Sequence, residues 1–156
     1  MSKELRAYIA GFLDGDGSIH VRLKPNKTYR FRFQIAPSIV FYQSKKERKY
    51  LEWMQKTLQK GYLRDRNDGI VEYIVGDQQS ILWLIKELLP YLKLKQKQAQ
   101  LMRETLLLKN KVKNGGDFLR LSKRIDEFQK LNYSKKRTQN SLLVKETLKR
   151  EGLLTP

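Results

Sequence analysis

The sequence predicts an α+β fold: an αββαββα core whose four antiparallel strands are backed by helices, followed by further C-terminal helices. Two observations predict it. Residues 18–35 alternate apolar and polar side chains with a period of two about Pro25-Asn26-Lys27, and residues 62–66 and 70–75 flank the turn Asn67-Asp68-Gly69, so each stretch reads as a hairpin. Stretches with apolar residues at helical spacing precede, separate and follow these hairpins. With 156 residues, the chain is read as one domain over 1–156, with a core over about 5–112 and a helical part over about 117–152.

The first helix covers Ala7-Tyr8-Ile9-Ala10-Gly11-Phe12-Leu13-Asp14-Gly15-Asp16-Gly17. Small residues (Ala10, Gly11, Gly15) lie on neighbouring turns, where a second helix backbone can approach closely. Two carboxylates, Asp14 and Asp16, stand at its end. Helix C-termini carry partial negative charge, so two acids there are unfavourable without a cation. The competing reading is an ordinary core helix with solvated aspartates. A calcium loop opening at Asp14 is excluded, because its twelfth position is Pro25 rather than a bidentate Glu.

In the first hairpin Ser18, His20, Arg22 and Lys24 alternate with Ile19, Val21 and Leu23. After Pro25-Asn26-Lys27, Thr28, Arg30, Arg32 and Gln34 alternate with Tyr29, Phe31, Phe33 and Ile35. The polar face is either a solvated outer face or a nucleic-acid surface. It holds no acid, and a two-stranded ribbon is narrow enough for a DNA major groove, which favours the second. The strand continues from Ala36 to Gln43, and Pro37 predicts an edge or a bulge. Ser44-Lys45-Lys46-Glu47 reads as a capping box opening a helix with Tyr50, Leu51, Met54 and Leu58 on one side and Gly61 as its stop. The second hairpin joins Tyr62–Arg66 to Ile70–Val75 through Asn67-Asp68-Gly69. Here Arg64, Arg66 and Glu72 either read base edges, or Arg66 and Glu72 form a cross-strand ion pair. A helix from about Gln78 to Leu89 ends at Pro90. Three more follow: about Lys95 to Val112, broken by Gly115-Gly116; one opened by Asp117; and about Asn140 to Arg150. The basic stretch 132–138, with Ser134, Lys135, Lys136 and Arg137, is either a phosphate-binding loop or a charged linker.

The formal net charge is +17, from 33 Lys and Arg against 16 Asp and Glu. Charge of that size speaks of partners. Nucleic acid leads over an anionic membrane, because the basic residues are spread over strands and helices rather than confined to one tail or helix. No cysteine is present, so disulfides and thiolate zinc sites are excluded. His20 is the only histidine and has no zinc partner. No signal peptide or membrane span is predicted.

The stretch Tyr8-Ile9-Ala10-Gly11-Phe12-Leu13-Asp14-Gly15-Asp16-Gly17 resembles the motif that names the LAGLIDADG homing endonucleases. Lys24-Pro25-Asn26, Tyr62-Leu63-Arg64-Asp65-Arg66 and Tyr91-Leu92-Lys93-Leu94-Lys95-Gln96-Lys97-Gln98-Ala99 are similar to signatures of that family's single-motif group, across most of the chain. The resemblance implies a homodimer joined through Ala10, Gly11, Phe12 and Gly15, with Asp16 of each copy at a shared cation site. It implies metal binding by Gly15 and Asp16, with Mg²⁺ as cofactor and Mn²⁺ able to substitute. Asp16, Gln43 and Lys95 take the catalytic positions, with Gln43 placing water and Lys95 supporting the transition state, and Asp14 is read as a helix-end residue tied to structure. Ser18, His20, Arg22, Lys24, Asn26, Thr28, Tyr29, Arg32, Gln34, Arg64, Arg66 and Glu72 take base-contact positions, joined from the hairpin pattern by Arg30.

The implied function is a site-specific double-strand break in a long pseudo-palindromic double-stranded DNA site, with no membrane partner and no small-molecule cofactor. The implied setting is an organelle, chloroplast or mitochondrion, or a prokaryotic cytoplasm. One departure stands out. The group usually carries Arg or Lys where this chain has Glu47, and Lys46 and Arg48 are the neighbouring candidates to replace it. Hence the alternative of a non-cleaving nucleic-acid-binding protein, an intron RNA maturase or a transcription regulator.

Overall fold

A computed structural model describes residues 1–132 and 137–154. Among them the elements run α1 (Lys3–Asp16), β1 (Gly17–Pro25), β2 (Phe33–Ser44), α2 (Arg48–Leu58), β3 (Tyr62–Asp65), β4 (Ile70–Val75), α3 (Gln78–Leu88), α4 (Gln96–Lys109), α5 (Gly115–Leu131) and α6 (Ser141–Arg150). The predicted αββαββα order is present. The strands form one four-stranded sheet in the order β1-β2-β4-β3. β2 pairs antiparallel with β4 from Ile39↔Val75 to Ser44↔Ile70, and β4 pairs with β3 from Tyr62↔Ile74 to Asp65↔Val71.

By contacts the chain divides into two compact units, Met1–Ile19 with Pro37–Gln100, and His20–Ala36 with Leu101–Pro156. β1 and β2 each contribute residues to both. In the first unit, α1 commits Ile9, Ala10 and Leu13 to the interior, each nearly inaccessible to solvent. Full burial of Ile9 or Leu13 contributes about 1.5–3 kcal/mol. Phe41 stacks on Tyr73 with ring centroids 5.7 Å apart, and the Tyr73 hydroxyl donates to the Lys60 carbonyl at 2.7 Å. Burial also pushes the Tyr73 phenol well above its ordinary range. In the second unit Phe118 of α5 stacks on Phe31 and Phe33 at 5.1 and 6.5 Å. The Asp126 carboxylate accepts the main-chain N–H and hydroxyl of Ser141, tying α5 to the first residue of α6.

Two glycines are required by space. α1 passes into β1 without a loop, and a Cβ at Gly17 would lie 2.9 Å from the Leu13 and Val40 carbonyl oxygens. A Cβ at Gly115 would lie 1.9 Å from the Leu153 carbonyl.

Several expectations are corrected. β1 alternates as predicted, but its partner strand starts at Phe33 rather than Thr28. Asn26 is the reason: its Oδ1 accepts from the Thr28 N–H and hydroxyl at 3.0 and 2.7 Å, which folds the chain into turns. The loop closes with Asn26 N–H donating to the Arg32 carbonyl at 2.8 Å, and Arg32 has φ +66°. Tyr29 is therefore exposed rather than on an apolar face.

Pro37 lies on an inner strand rather than an edge, two residues before the β2–β4 register begins, where no N–H is required of it on that side. The capping box does not form. Ser44 caps a short 3-10 turn, Lys45–Glu47, by accepting from Lys46 N–H, and the Ser44 N–H that a box Glu would take is instead accepted by Gln43 Oε1 at 3.0 Å. Tyr50 is exposed while Leu51, Met54 and Leu58 are buried. Gly115-Gly116 open α5 instead of only breaking the preceding helix, and Asn114 rather than Asp117 is its cap, accepting the Asp117 N–H at 2.9 Å.

The glycine packing is testable. Gly17→Ala and Gly115→Ala should each lower unfolding free energy by about 1–3 kcal/mol through overpacking, read as a fall in the urea midpoint.

Candidate functional site

Two sets of side chains stand out. The first lies at the end of α1, within the first unit. Asp16, its last residue, is exposed, and among the described residues its carboxylate has no hydrogen-bond or ion-pair partner. Gly15 is exposed with no neighbour within 4 Å of an added Cβ. Asp14 behaves differently. Its Oδ2 accepts the N–H groups of Lys93 and Leu94 at 2.7 and 3.2 Å, and its Oδ1 accepts that of Lys95 at 2.9 Å. The Lys95 ammonium returns the contact, donating to the Asp14 carbonyl at 2.5 Å. A cation on a helix's last carbonyls is favourable twice over, by hydrogen bonding and against the dipole. The two acids therefore split: one is spent on structure and one is free.

Gln43, half-buried near the end of β2, uses Oε1 on Ser44, which leaves its amide N–H₂ to donate. Ser18 and Tyr42 share a hydroxyl–hydroxyl bond of 3.0 Å, a partner for Ser18 that sequence alone did not name. Glu47 is exposed and makes no cap bond. Arg48 is occupied: Nε donates to Glu52 at 2.8 Å and Nη1 bonds Asp65. Of the two candidates beside Glu47, only Lys46 therefore keeps an unengaged head group among the described residues.

The donor set can be tested against a metal. A free carboxylate beside helix-end carbonyls is a hard oxygen set, of the kind Mg²⁺ takes. Among the described residues no three His, Cys, Asp or Glu side chains come together as a metal site. One copy thus fits Mg²⁺ as a partial ligand, with substrate phosphates, waters or a second copy completing the shell.

The small-residue face needs one correction. Gly11 and Gly15 are exposed and Phe12 is half-buried, but Ala10 is 0% exposed, packed inside its own copy with Ile9 and Leu13. It cannot meet a partner. Continuing the exposed side, Tyr8 sits edge-on to Trp53 at 5.8 Å, in an apolar groove of about 710 Å³ lined by Leu5, Tyr8, Tyr50 and Trp53 with Glu4 and Lys49 at its rim.

The second set is polar and basic. On β1, Arg22 and Lys24 are exposed and His20 half-exposed, with Gln34 half-exposed on β2. In the loop between them Asn26 and Thr28 are bonded to each other, and Arg30 stacks over the Phe31 ring at 4.9 Å. Arg32 is engaged within the chain: it meets Glu151 at 3.4 Å and donates to the Tyr29 and Arg30 carbonyls. Arg137 donates to the Val21 carbonyl at 2.9 Å. Burial lowers its guanidinium from the usual arginine range, with Asp126 opposing and Arg22 reinforcing the fall. Ser134, Lys135 and Lys136 lie outside the described residues.

On the second hairpin Glu72 is corrected. It is 4% exposed and bound by Arg64 at 2.5 Å and Arg66 at 3.6 Å, so it orients two exposed guanidiniums instead of meeting a base itself. Arg66 also bonds Asp68 at 2.5 Å. Glu72→Gln should cost roughly 1–2 kcal/mol in urea unfolding. That is less than a buried pair is worth, because water screens the half-exposed Arg64.

The LAGLIDADG endonuclease family model matches residues 9–105. The chain is 35% identical over 148 residues to DNA endonuclease I-CreI of Chlamydomonas reinhardtii, covering 94% of this chain and 90% of that protein. It is 33% identical over 146 residues to DNA endonuclease I-CvuI of Chlorella vulgaris, covering 94% and 91%. Among solved structures it superposes on I-CvuI in complex with the I-CreI target in the presence of Mg, the DNA not cleaved, with TM-score 0.93, 31% identity and 98% of each chain covered.

Proposed function

This chain belongs to the LAGLIDADG endonuclease family, and from that premise we propose that it is a homing endonuclease acting as a homodimer on a long, nearly palindromic DNA duplex, in an organelle. The observation that carries the reading is the free Asp16 carboxylate at the end of a helix whose Gly11–Gly15 side is uncovered. Two copies meeting along that side bring one such acid each to the seam, one per DNA strand. The apolar groove beside Tyr8 and Trp53 extends the same side of α1 and supplies area that the glycines lack. Among the described residues no helix is long and apolar enough to cross a membrane.

Asp16 is the residue that would hold Mg²⁺, or Mn²⁺ in its place, and the Gly15 carbonyl would offer a second oxygen. When bound, the ion supplies charge neutralisation on the phosphoryl oxygens and makes bound water more acidic. Every other contribution comes from the chain. Gln43 orients the attacking water through its uncommitted amide N–H₂. Lys95 has one ammonium N–H on the Asp14 carbonyl and two left for the charge that develops on phosphorus oxygens. Ser18, His20, Arg22, Lys24 and Gln34 read or hold DNA along β1 and β2. Arg64 and Arg66, steadied by Glu72, do so on the second hairpin, where a bidentate guanidinium matches guanine. Lys46 takes the phosphate-facing part that Glu47 cannot.

A second reading has one observation in its favour. With Glu47 acidic and Arg48 held by two carboxylates, the region has fewer free cations than its neighbours in sequence offer. That favours a protein that binds nucleic acid, such as an intron RNA or an operator, without cutting it. Selection of cleaved sites from a randomised duplex library with Mg²⁺ separates the two. The endonuclease reading expects one enriched, near-symmetric site cut on both strands. Duplex bound but never cut, unchanged by Asp16→Asn, defeats it. On the enriched site Asp16→Asn should lower single-turnover cleavage by at least about a thousandfold while binding in EDTA changes less than about threefold. Gly11→Leu should shift sedimentation from dimer to monomer and abolish double-strand breaks.

A further inference from the structure

We propose that Asp14 is a positioning residue for phosphodiester hydrolysis, placing the Lys95 ammonium at the end of α1. The proposal rests on the endonuclease reading for what Lys95 does, and on geometry alone for where Lys95 is. Three main-chain N–H groups, from Lys93, Leu94 and Lys95, converge on one carboxylate at 2.7–3.2 Å. They belong to the segment that leads into α4 at Gln96, where the Lys95 carbonyl already accepts from Ala99 N–H at 3.0 Å but the three N–H groups are given to Asp14 rather than to a helix. Leu94 in that segment is 75% exposed, so burial of its side chain does not hold the segment in place. Between buried Leu92 and the first turn of α4, the three bonds to the carboxylate do. Accepting three N–H donors, Asp14 has its lone pairs turned to the protein and is not the free acid of the pair.

The consequence for Lys95 is direct. Its side chain spans back to the carbonyl of the residue that fixes its own N–H, so the contact is reciprocal: carboxylate to main chain one way, ammonium to main chain the other. That closes a rigid link between α1 and the start of α4. The free Asp16 follows two residues later on the same helix. A long, mobile lysine has its head group fixed within one helical turn of the acid, and the setting is done by a residue that need not touch DNA or metal. Asparagine has the same shape as aspartate at position 14. It keeps one acceptor oxygen and turns an amide N–H₂ toward an N–H donor, so the link loses at least one of its three bonds.

The test uses the full-length protein in three measurements. Single-turnover cleavage is expected to fall at least about tenfold in Asp14→Asn, with duplex affinity changed less than about threefold, since a misplaced reacting group is costly to rate. Lys95→Met is expected to fall as far or further. The double variant is expected to be no slower than Lys95→Met alone, because Asp14 acts only through Lys95. Losses that multiply in the double variant overturn the proposal. So does an Asp14→Asn enzyme that cuts at the wild-type rate. Asp14→Glu, which keeps both acceptor oxygens, should recover part of the loss.

The third measurement does not depend on cutting. Reaction of each lysine amine with acetic anhydride, followed by mass spectrometry, is expected to speed up several-fold at Lys95 in Asp14→Asn, with Lys46 and Lys97 unchanged as internal references. An unchanged Lys95 rate overturns the proposal even if the enzyme is slower. If the Lys95 rate rises while the wild-type protein cuts no DNA, the link stands and the endonuclease reading is what fails.

Discussion

The candidate active centre depends on a passage of chain that leaves no room for a side chain. Helix α1 ends at Asp16 and β1 begins at Gly17, with no loop between. Gly17 is squeezed between two carbonyl oxygens, one from the helix and one from β2. Its backbone is extended, with φ −139°, so the need for glycine here is one of space rather than of dihedral angle. The helix is thereby pinned to the strand beside it. A looser connection would let the last turn fray, as helix ends do. Here the last turn is held at Gly17, at Asp14 and at the Lys95 ammonium, which fixes the main chain on both sides of Asp16.

Around that fixed point the chain assigns its charges unequally. Glu72 and Asp14 are used within the fold and Asp16 is left open. Among cations Arg48 is engaged by two acids, while Lys45 and Lys46 in the adjoining turn are not. Magnitudes decide which of these pairings persist on DNA. Arg32 and Glu151 meet at 3.4 Å, each about a third exposed, and such a pair is worth no more than about 1 kcal/mol. A duplex offering closely spaced phosphates outbids that readily. Arg64 on the buried Glu72 is a different matter, since removing the partner would strand a carboxylate away from water. The first contact is the more readily exchanged of the two.

The sequence made the fold class readable because the first hairpin and the helices carry clean periods and the second hairpin is marked by its Asn67-Asp68-Gly69 turn. Ile19, Val21 and Leu23 are all buried, as alternation demands, and α3 buries Ile81, Ile85 and Leu88. What escaped was local chemistry that period counting does not sense. The Asn26 side chain ended the alternation by bonding Thr28, and the same composition read as strand folded as turns. Ser44 and Glu47 have the spacing of a capping box, but Gln43, one residue upstream, reached the donor first. Ala10 looked like Gly11 and Gly15 by size, yet it lies beside Ile9 and turns inward with it. The split between Asp14 and Asp16 was the hardest to see, because Lys95 is 79 positions from Asp16 along the chain, and only the folded chain shows which acid faces the 93–95 segment.

The division of the chain into two units bears on how such a gene changes over time. The candidate reacting residues Asp16, Gln43 and Lys95 belong to one unit, together with Ser18, Arg64 and Arg66, and the turn from Asn26 to Arg32 belongs to the other. Each has its own hydrophobic interior. Within the second unit Phe31, near the end of the turn, stacks on Phe118; within the first, Phe12 packs on Phe41. Exposed turn residues such as Thr28 and Arg30 can therefore be exchanged with less disturbance to either interior than the buried residues of the strands.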